Sequence, residues 1–342
     1  MHSIKTPKKQ ANDIIKELRK NKQINYNYKI KHEENHIIIP LQKTYSHYII
    51  QKIQENYPDI ELLSDITLQK QTIPPQNFTE YLNTNIDKEK LDKIHRSFDI
   101  IGNTVIIEIP EELEKEKYQI AEAILKFTKR QNVYNKKSKI QGITRTRKLE
   151  HLVGTKNPET IHKEFNLKFK LNIETVYFSP RLATERKRIV EQVKENETII
   201  DFFAGIGSFP ISIANKKETK IYSVDINPEA YKYMQENIKL NKLKGNIIPI
   251  QSDINKIIDE LPPADRIIMN LPGTAKEFLP LAIEKIKKPG IINYYEFTTD
   301  PQNAIESIKK INKKYNTKIL NVHKVRSQGP KVWHVAVDAQ IF

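Results

Sequence analysis

Between residues 198 and 296, apolar strand-like runs alternate with helical stretches, and no other feature of the chain limits its fold so strongly. Thr198 to Phe203, Lys220 to Asp225, Gly245 to Gln251, Asp265 to Asn270 and Gly290 to Glu296 read as strands, and Pro228 to Asn241 reads as a helix. Strands that alternate with helices imply a mostly parallel, doubly wound α/β sheet with both faces covered. Two later runs, Lys318 to Val325 and Lys331 to Phe342, flank Arg326 to Pro330 and read as an antiparallel hairpin.

The turn after the first of these strands, Asp201-Phe202-Phe203-Ala204-Gly205-Ile206-Gly207-Ser208-Phe209-Pro210, carries the chemistry. A strand delivers an acid, two glycines let the backbone approach a ligand, and a helix starts near Pro210. In a doubly wound sheet this turn lies at the ligand crevice. The nicotinamide fingerprint would place a third Gly or Ala where Pro210 stands. An acid at position 201 would also repel a pyrophosphate, so a cationic ligand suits it better. Asp225 ends the next strand, where both ribose hydroxyls could donate to it. Asp253 follows a third strand, where a carboxylate can bond an adenine amino group. Any one of these acids could simply cap a helix or turn. The ordered set fits S-adenosylmethionine, a nucleoside that carries an amino acid and a sulfonium. Phe203, Ala204, Gly205, Gly207 and Ile226 are expected around it with the three acids.

Asn270-Leu271-Pro272 ends the fourth strand beside the same crevice, so Asn270 and Pro272 join the expected cofactor contacts. An Asn there offers a carboxamide to a base edge, and the Pro directs the loop. Enzymes that methylate exocyclic amines of nucleic acid often carry Pro-Pro-aromatic after this position. Asn-Leu-Pro-Gly makes a ring nitrogen the more natural target.

Charge points to a polyanion. The 342-residue chain has a formal net charge of +15, and neutralising phosphates releases their condensed counterions. Residues 126–149 hold nine Lys or Arg and no acid, and residues 1–32 hold nine against Asp13 and Glu17. Clustering of this kind reads as a nucleic-acid footprint. The chain has no cysteine, which excludes disulfides, thiolate metal sites and cysteine nucleophiles. The histidines show no metal-like spacing, so no metal is expected. No apolar run approaches the roughly 20 residues that span a bilayer, and the N-terminus lacks a signal-like apolar core, so a cytoplasmic protein with no membrane partner is expected.

Three regions follow: a small basic α/β module over 1–65, a middle α+β module over 66–175, and the doubly wound domain over 176–342. In the first, Ala11 to Lys20 and Tyr45 to Asn56 read as helices, with strands at His36 to Leu41 and Asp59 to Leu63. Gln69 to Asn77, stiffened by Pro74-Pro75, reads as a linker. In the second, strands flank Gly102-Asn103, a helix runs from Glu111 to Arg130, and Phe165 to Asn172 alternates like a half-buried strand.

Arg145-Thr146-Arg147-Lys148-Leu149-Glu150-His151-Leu152, Val176-Tyr177-Phe178-Ser179-Pro180-Arg181-Leu182-Ala183-Thr184-Glu185-Arg186, Asp201 to Gly207, Val224 to Pro228 and Asn270-Leu271-Pro272 together resemble the archaeal and eukaryotic tRNA (guanine-37-N1)-methyltransferases. The resemblance covers essentially the whole chain. It implies methyl transfer from S-adenosylmethionine to N1 of guanine 37, beside the anticodon. Glu185 would be the general base that N1 needs, and Arg145 and Asn270 would stabilise charge developing on O6. Tyr177 would line the pocket against cofactor or base. Arg181 and Arg186 would flank the base or bind phosphate. The target base must flip out of its stack, and the basic stretch, with Lys136, Lys137 and the interleaved Tyr134, would hold the backbone meanwhile. The first module would read the outer corner of the tRNA. Rival readings are an aminocarboxypropyl transferase of the same architecture, a bifunctional form that also methylates C7 of a tricyclic guanine, and a non-catalytic tRNA-binding protein. Oligomeric state is not readable from the chain.

Overall fold

The computed structural model describes residues 1–71, 75–82, 86–94, 96–138 and 142–342. Pro74 of the expected linker, His95 and Lys139 of the basic stretch lie outside the described residues. The chain divides into two compact units, Met1–Gln76 and Asn77–Phe342.

The first unit is a four-stranded sheet with two helices: β1 (Ser3–Pro7), α1 (Ala11–Lys20), β2 (Lys31–His32), β3 (His36–Pro40), α2 (His47–Asn56) and β4 (Glu61–Leu63). Strand order is β2-β3-β1-β4, with every pair antiparallel. Both helices fall where periodicity expects them, and Ile14, Leu18, Ile50 and Ile53 turn inward onto Ile4, Ile37 and Ile39. The central strand β1 is a finding: the Lys-flanked N-terminus hides a buried Ser3-Ile4 and Thr6.

In the second unit a 3-10 turn over Phe78–Tyr81 comes before a short helix α3 (Lys88–Asp92). Around the middle of the chain lie β5 (Phe98–Ile101), β6 (Thr104–Ile107), α4 (Lys117–Thr128), β7 (Asn132–Lys136) and β8 (Leu149–Gly154), with sheet order β5-β6-β7-β8. The expected helix from Glu111 starts as a 3-10 turn over Glu111–Glu116 and becomes α-helical at Lys117. Five residues of the basic stretch, Asn132–Lys136, form the paired strand β7. Tyr134 there is 1% exposed and packs against His151, so it cannot offer a base a stacking face. A hairpin of β9 (Glu159–Glu164) and β10 (Leu167–Asn172) follows, with Phe165 and Asn166 at positive φ in its turn.

The doubly wound part comprises α5 (Ala183–Gln192), β11 (Thr198–Asp201), α6 (Ser208–Lys216), β12 (Lys220–Asp225), α7 (Pro228–Leu240), β13 (Asn246–Gln251), α8 (Ile254–Ile257), β14 (Ala264–Met269), α9 (Leu279–Lys285), β15 (Ile286–Thr298), α10 (Pro301–Ile311), β16 (Thr317–Gly329) and β17 (Val332–Ile341). Its sheet runs β13-β12-β11-β14-β15-β17-β16. The first five strands are parallel, and β17 pairs antiparallel with both β15 and β16. Alternate residues split between two cores. Ile199, Ile221, Ile268 and Tyr295 meet residues of α5, α6 and α7, while Ile200, Val224, Ile267 and Tyr294 meet those of α8, α9 and α10.

Ile101, Ile106 and Leu167 share the first of these cores with Ile199 and Phe209. The boundary expected at 175 therefore runs through continuous packing. Two asparagines clamp the β9–β10 hairpin to α7. Asn241 accepts from Lys168 N (2.9 Å) and donates to Lys168 O (2.8 Å), and Asn237 does the same for Lys170 (2.6 and 3.0 Å). Four residues of helix rise about 6 Å and two of strand about 6.6 Å, so the two grips stay in step. Asn237 also donates to Ile206 O in the glycine turn (3.1 Å). Asn237→Ala should lower the unfolding free energy by about 1–3 kcal/mol, because buried peptide groups lose their partners. Denaturant unfolding of the full chain measures this, and an unchanged midpoint would contradict the clamp.

Candidate active site

Asp201, Asp225, Asp253 and Asn270 lie at or just past the carboxyl ends of the parallel strands β11, β12, β13 and β14. Strand order reverses about β11, so the crevice between its two flanks opens there. Gly205 (φ +57°) and Gly207 (φ +84°) turn the chain from β11 into α6 in the left-handed region. A Cβ on Gly207 would come within 3.0 Å of Met234 and 3.1 Å of Ile211. The turn thus closes against α7 while its outer edge stays free for a ligand.

A cavity of about 530 Å³ opens at this edge, lined by Arg145, Tyr177, Phe203, Gly205, Asp225, Ile226, Asp253 and Asn270. That size suits a nucleoside-containing ligand. Asp225 accepts from Gly205 N (2.6 Å) and Asn227 N (2.9 Å). Burial pushes its carboxyl up, against those two bonds. Each oxygen keeps a further lone pair for an incoming hydroxyl. Asp253 caps α8 by accepting from Asn255 N (3.0 Å), so the capping role and a place in the cavity coexist. Ile226 is an exposed apolar side chain in the lining, fitted to a flat ring. Asp201, Ala204, Gly207 and Pro272 lie outside the lining. Asp201 Oδ1 accepts from Phe203 N (3.2 Å), but Oδ2 is buried without a partner. Burial, opposed by the Phe203 bond and reinforced by Asp225, pushes this carboxyl up to about 7.

The reacting side is built from elements far apart in sequence. Arg145, itself at positive φ, lays its guanidinium over the Tyr177 ring at 5.2 Å. Arg145 Nη1 lies 3.9 Å from where a Gly273 Cβ would stand, next to the Asn270-Leu271-Pro272 loop. Pro272 O accepts from Phe297 N (3.0 Å), which ties that loop to β15.

Glu185 is not among the lining residues of this cavity. Its carboxylate, 4% exposed, accepts from Tyr295 Oη (2.6 Å), Arg188 Nη2 (2.7 Å) and His323 Nε2 (2.9 Å). Asn321 Nδ2 lies 3.2 Å from His323 Nδ1, an arrangement in which Nδ1 accepts and Nε2–H donates. Burial pushes the Glu185 carboxyl up, but the bonds from His323, Arg188 and Tyr295 outweigh it and hold it at about 2. Glu185, Arg181 and His323 line a separate cavity of about 490 Å³.

Of the expected substrate cations, all but Arg145 are ion-paired. Arg181 bonds Asp99 at 2.5 Å, Lys136 reaches the same Asp99 at 3.5 Å, and Lys137 pairs with Glu114 (3.4 Å) and Glu150 (3.6 Å). Arg186 is 1% exposed, with both edges held by Glu164 and Ser179 O. That partner sits on β9 and was not readable from the neighbouring residues. Sequence reasoning also missed Tyr295, His323, Arg326 and His334. The expected turn over Arg326 to Pro330 shrinks to Pro330-Lys331, and β16 continues through Arg326 to pair with His334.

Fold and cavity define a class I methyltransferase architecture, with Asp225 and Asp253 lining the cavity at the strand ends. The model for the TRM5/TYW2 methyltransferase domain matches residues 160–320, that for the TYW2 N-terminal domain residues 78–157, and that for the tRNA methyltransferase 5 N-terminal domain residues 3–49. The chain is 38% identical to tRNA (guanine(37)-N(1))-methyltransferase Trm5b of Pyrococcus abyssi over 99% of its length and 98% of the relative. The crystal structure of that organism's Trm5b superposes with a TM-score of 0.80 at 37% identity, covering 100% of this chain and 99% of the other. The solved complex of aTrm5 and tRNALeu gives 0.75 at 34% identity over 100% of both chains. A tRNA(Phe) (4-demethylwyosine(37)-C(7)) aminocarboxypropyltransferase of Methanocaldococcus jannaschii is 37% identical over 70% of this chain and 96% of its own. The chain belongs to the tRNA (guanine-37-N1)-methyltransferase family, and its cofactor is S-adenosylmethionine.

The residues present fit that cofactor: in the lining, Asp225 and Asp253 offer acceptors that a diol and an amino group would fill, and outside it Asp201 keeps a buried, partnerless Oδ2 that would suit a cation. A cation beside Asp201 favours its ionised form, so binding near pH 6 should release roughly one proton. The sign follows from the raised carboxyl, which is protonated below about 7 in the free protein; above about pH 8 the release should vanish. Calorimetry in two buffers of different ionisation enthalpy measures it. Asp201→Asn should remove most of the release, and zero release by the wild-type chain at pH 6 would contradict the pairing.

Proposed function

We propose that the chain transfers the methyl group of S-adenosylmethionine to N1 of guanine 37 in tRNA. The observation that carries this reading is the convergence of Arg145, Tyr177 and Asn270, from three separate segments, on the cofactor cavity. S-adenosylmethionine supplies an electrophilic methyl on a sulfonium. N1 of guanine must lose its proton to accept it, and the charge so created spreads to O6. Arg145 and the Asn270 carboxamide donate toward that oxygen. Tyr177, fixed under Arg145, packs against the flipped base.

Glu185 takes the N1 proton. In the free protein its three donors make it a weak base, so entry of the base must loosen at least one. His323 is the part that can yield: its side chain is 30% exposed, whereas Tyr295 is fully buried. Once His323 leaves Oε2, the carboxylate strengthens as a base where the proton is to be received. Arg181, Lys136 and Lys137 exchange their acidic partners for phosphate as tRNA docks, and Arg186 holds β9 and the Ser179 turn rather than substrate.

tRNA is the partner, and the unit Met1–Gln76, with its basic excess, reads a part of it away from the anticodon. Cytoplasmic tRNA fits an enzyme of this type, and among the described residues no helix is long and apolar enough to cross a membrane. Aminocarboxypropyl transfer is the lesser reading, because the relative of that name matches 70% of the chain against 99% for the methyltransferase.

Single-turnover methyl transfer tests the roles. Glu185→Gln should keep cofactor and tRNA binding and slow transfer by ~10²–10⁴-fold. Its defect should narrow at alkaline pH, where N1 begins to ionise unaided. Asn270→Ala should cost about 10²–10³-fold at every pH. A Glu185→Gln chain with the wild-type rate would remove the base from Glu185.

A further inference from the structure

Arg326 and its strand partner His334 are a cluster of buried polar atoms with no protein partner and no part in the roles above. Arg326 Nη2 reaches Tyr177 Oη at 3.4 Å, a long bond, while its Nε is buried and unpartnered. Both ring nitrogens of His334 are likewise buried without partners, and the ring, 1% exposed, packs edge-on against Phe297 and beside Tyr295. Among the described residues, neither Arg326 nor Arg145 has a carboxylate within ion-pair distance, whereas Arg181, Arg186, Arg188 and Arg266 all do. Tyr177 therefore gathers two guanidiniums, one on its ring face and one at its hydroxyl, with no counter-charge between them.

Two adjacent cations without an anion, one carrying a desolvated donor, raise the energy of the free protein. The arrangement makes sense if a ligand brings the acceptors. Nη2 carries two hydrogens, so one can reach Tyr177 while the other stands beside Nε–H as a pair for two in-plane acceptors once an entering base uncovers the buried Nε. Guanine presents such a pair, O6 and N7, on one edge; adenine offers a donor beside N7 instead. Burial, aided by Arg326 and opposed by Glu185, pulls the His334 imidazole down to about 3. The ring next to Arg326 is thus neutral and adds no third positive charge.

Resting on the methyl-transfer reading, we infer that Arg326 presents its guanidinium fork to the O6/N7 edge of the flipped guanine. It is then a specificity-determining residue, with Arg145, over the Tyr177 ring, backing O6. The register of β16 against β17 positions it, with His334 as its neutral neighbour.

Atom-level substitution of the base separates this role from a structural one. Single-turnover rates are measured for wild type, Arg326→Gln and Arg326→Lys on tRNA carrying guanosine or 7-deazaguanosine at position 37. Cofactor affinity and thermal midpoint serve as folding controls. Wild type should lose roughly 10- to 100-fold on 7-deazaguanosine, the loss of one arm of a bidentate contact. Arg326→Gln should be slower than wild type on guanosine by a similar or larger factor, yet nearly indifferent to the deaza substitution, because the two changes remove one contact. Arg326→Lys keeps the charge without the fork, so it should retain part of the rate and little of the discrimination. A full deaza penalty in Arg326→Gln, or a wild-type rate in either variant, would overturn the inference. If Arg326→Gln fails to fold, an undiminished deaza penalty in Arg326→Lys overturns it equally. A wild-type chain that methylates 7-deazaguanosine tRNA as fast as guanosine tRNA sinks only the Arg326 contact. One inactive on guanosine tRNA sinks the methyl-transfer reading and this inference together.

Discussion

The reversal of strand order about β11 is the constraint on which the catalytic unit depends. Because β12 and β14 flank β11 and their connecting helices cover opposite faces, the chain leaves the sheet in two directions at one point. Asp225, Asp253 and the glycine turn fall on one side of that point, and Asn270 falls on the other. The middle strands and the β9–β10 hairpin share the same core, so Arg145 and Tyr177 can be carried to the crevice from outside the doubly wound sheet.

Satisfaction of buried charge divides the rest of the site. Below the sheet ends, Arg188 bridges Glu185 and Asp338. Asp338 accepts from Asn293 (2.6 Å), and Asn293 accepts from Arg266 (3.0 Å), whose Nε bonds Glu197 (2.8 Å). This chain of bonds fixes α5 to β14, β15 and β17 and sets the position of Glu185. Above it, Asp201 Oδ2, Arg326 Nε and both nitrogens of His334 remain without protein partners. A folded domain keeps few such atoms. Similar atoms occur elsewhere, as at Thr104 and Ser223; of these four, Asp201 Oδ2 belongs to the acid that accepts from the glycine turn's Phe203 N, and the other three belong to the β16–β17 pair whose Arg326 reaches Tyr177.

How far the sequence discloses this depends on whether a position is set locally. Asp201, Asp225, Asp253 and Asn270 were legible because a parallel strand ends in its own turn, so composition and spacing along a few residues place the side chain. The two helices of the first unit were legible for the same reason. Arg186 was misread because its partner Glu164 lies on a hairpin whose first strand carries no clear alternation. Tyr134 looked exposed among lysines, yet β7 is paired on both sides and turns that ring into the core. Arg326 and His334 could not be found at all: their pairing follows from register shifts in a long hairpin, two of them adjacent to Arg326. The end of such a strand is decided by its partner, not by the residues within it.

The central claim is that these parts deliver a methyl group to one ring nitrogen of one base. Incubating the chain with unmodified tRNA transcripts and S-adenosylmethionine labelled separately in the methyl and the carboxyl groups, followed by nucleoside analysis, tests it most directly. The account predicts 1-methylguanosine from position 37 carrying methyl label alone, and no product when that guanosine is replaced by adenosine. Carboxyl label retained on the nucleoside, or methyl label on any other atom of the base, would contradict it.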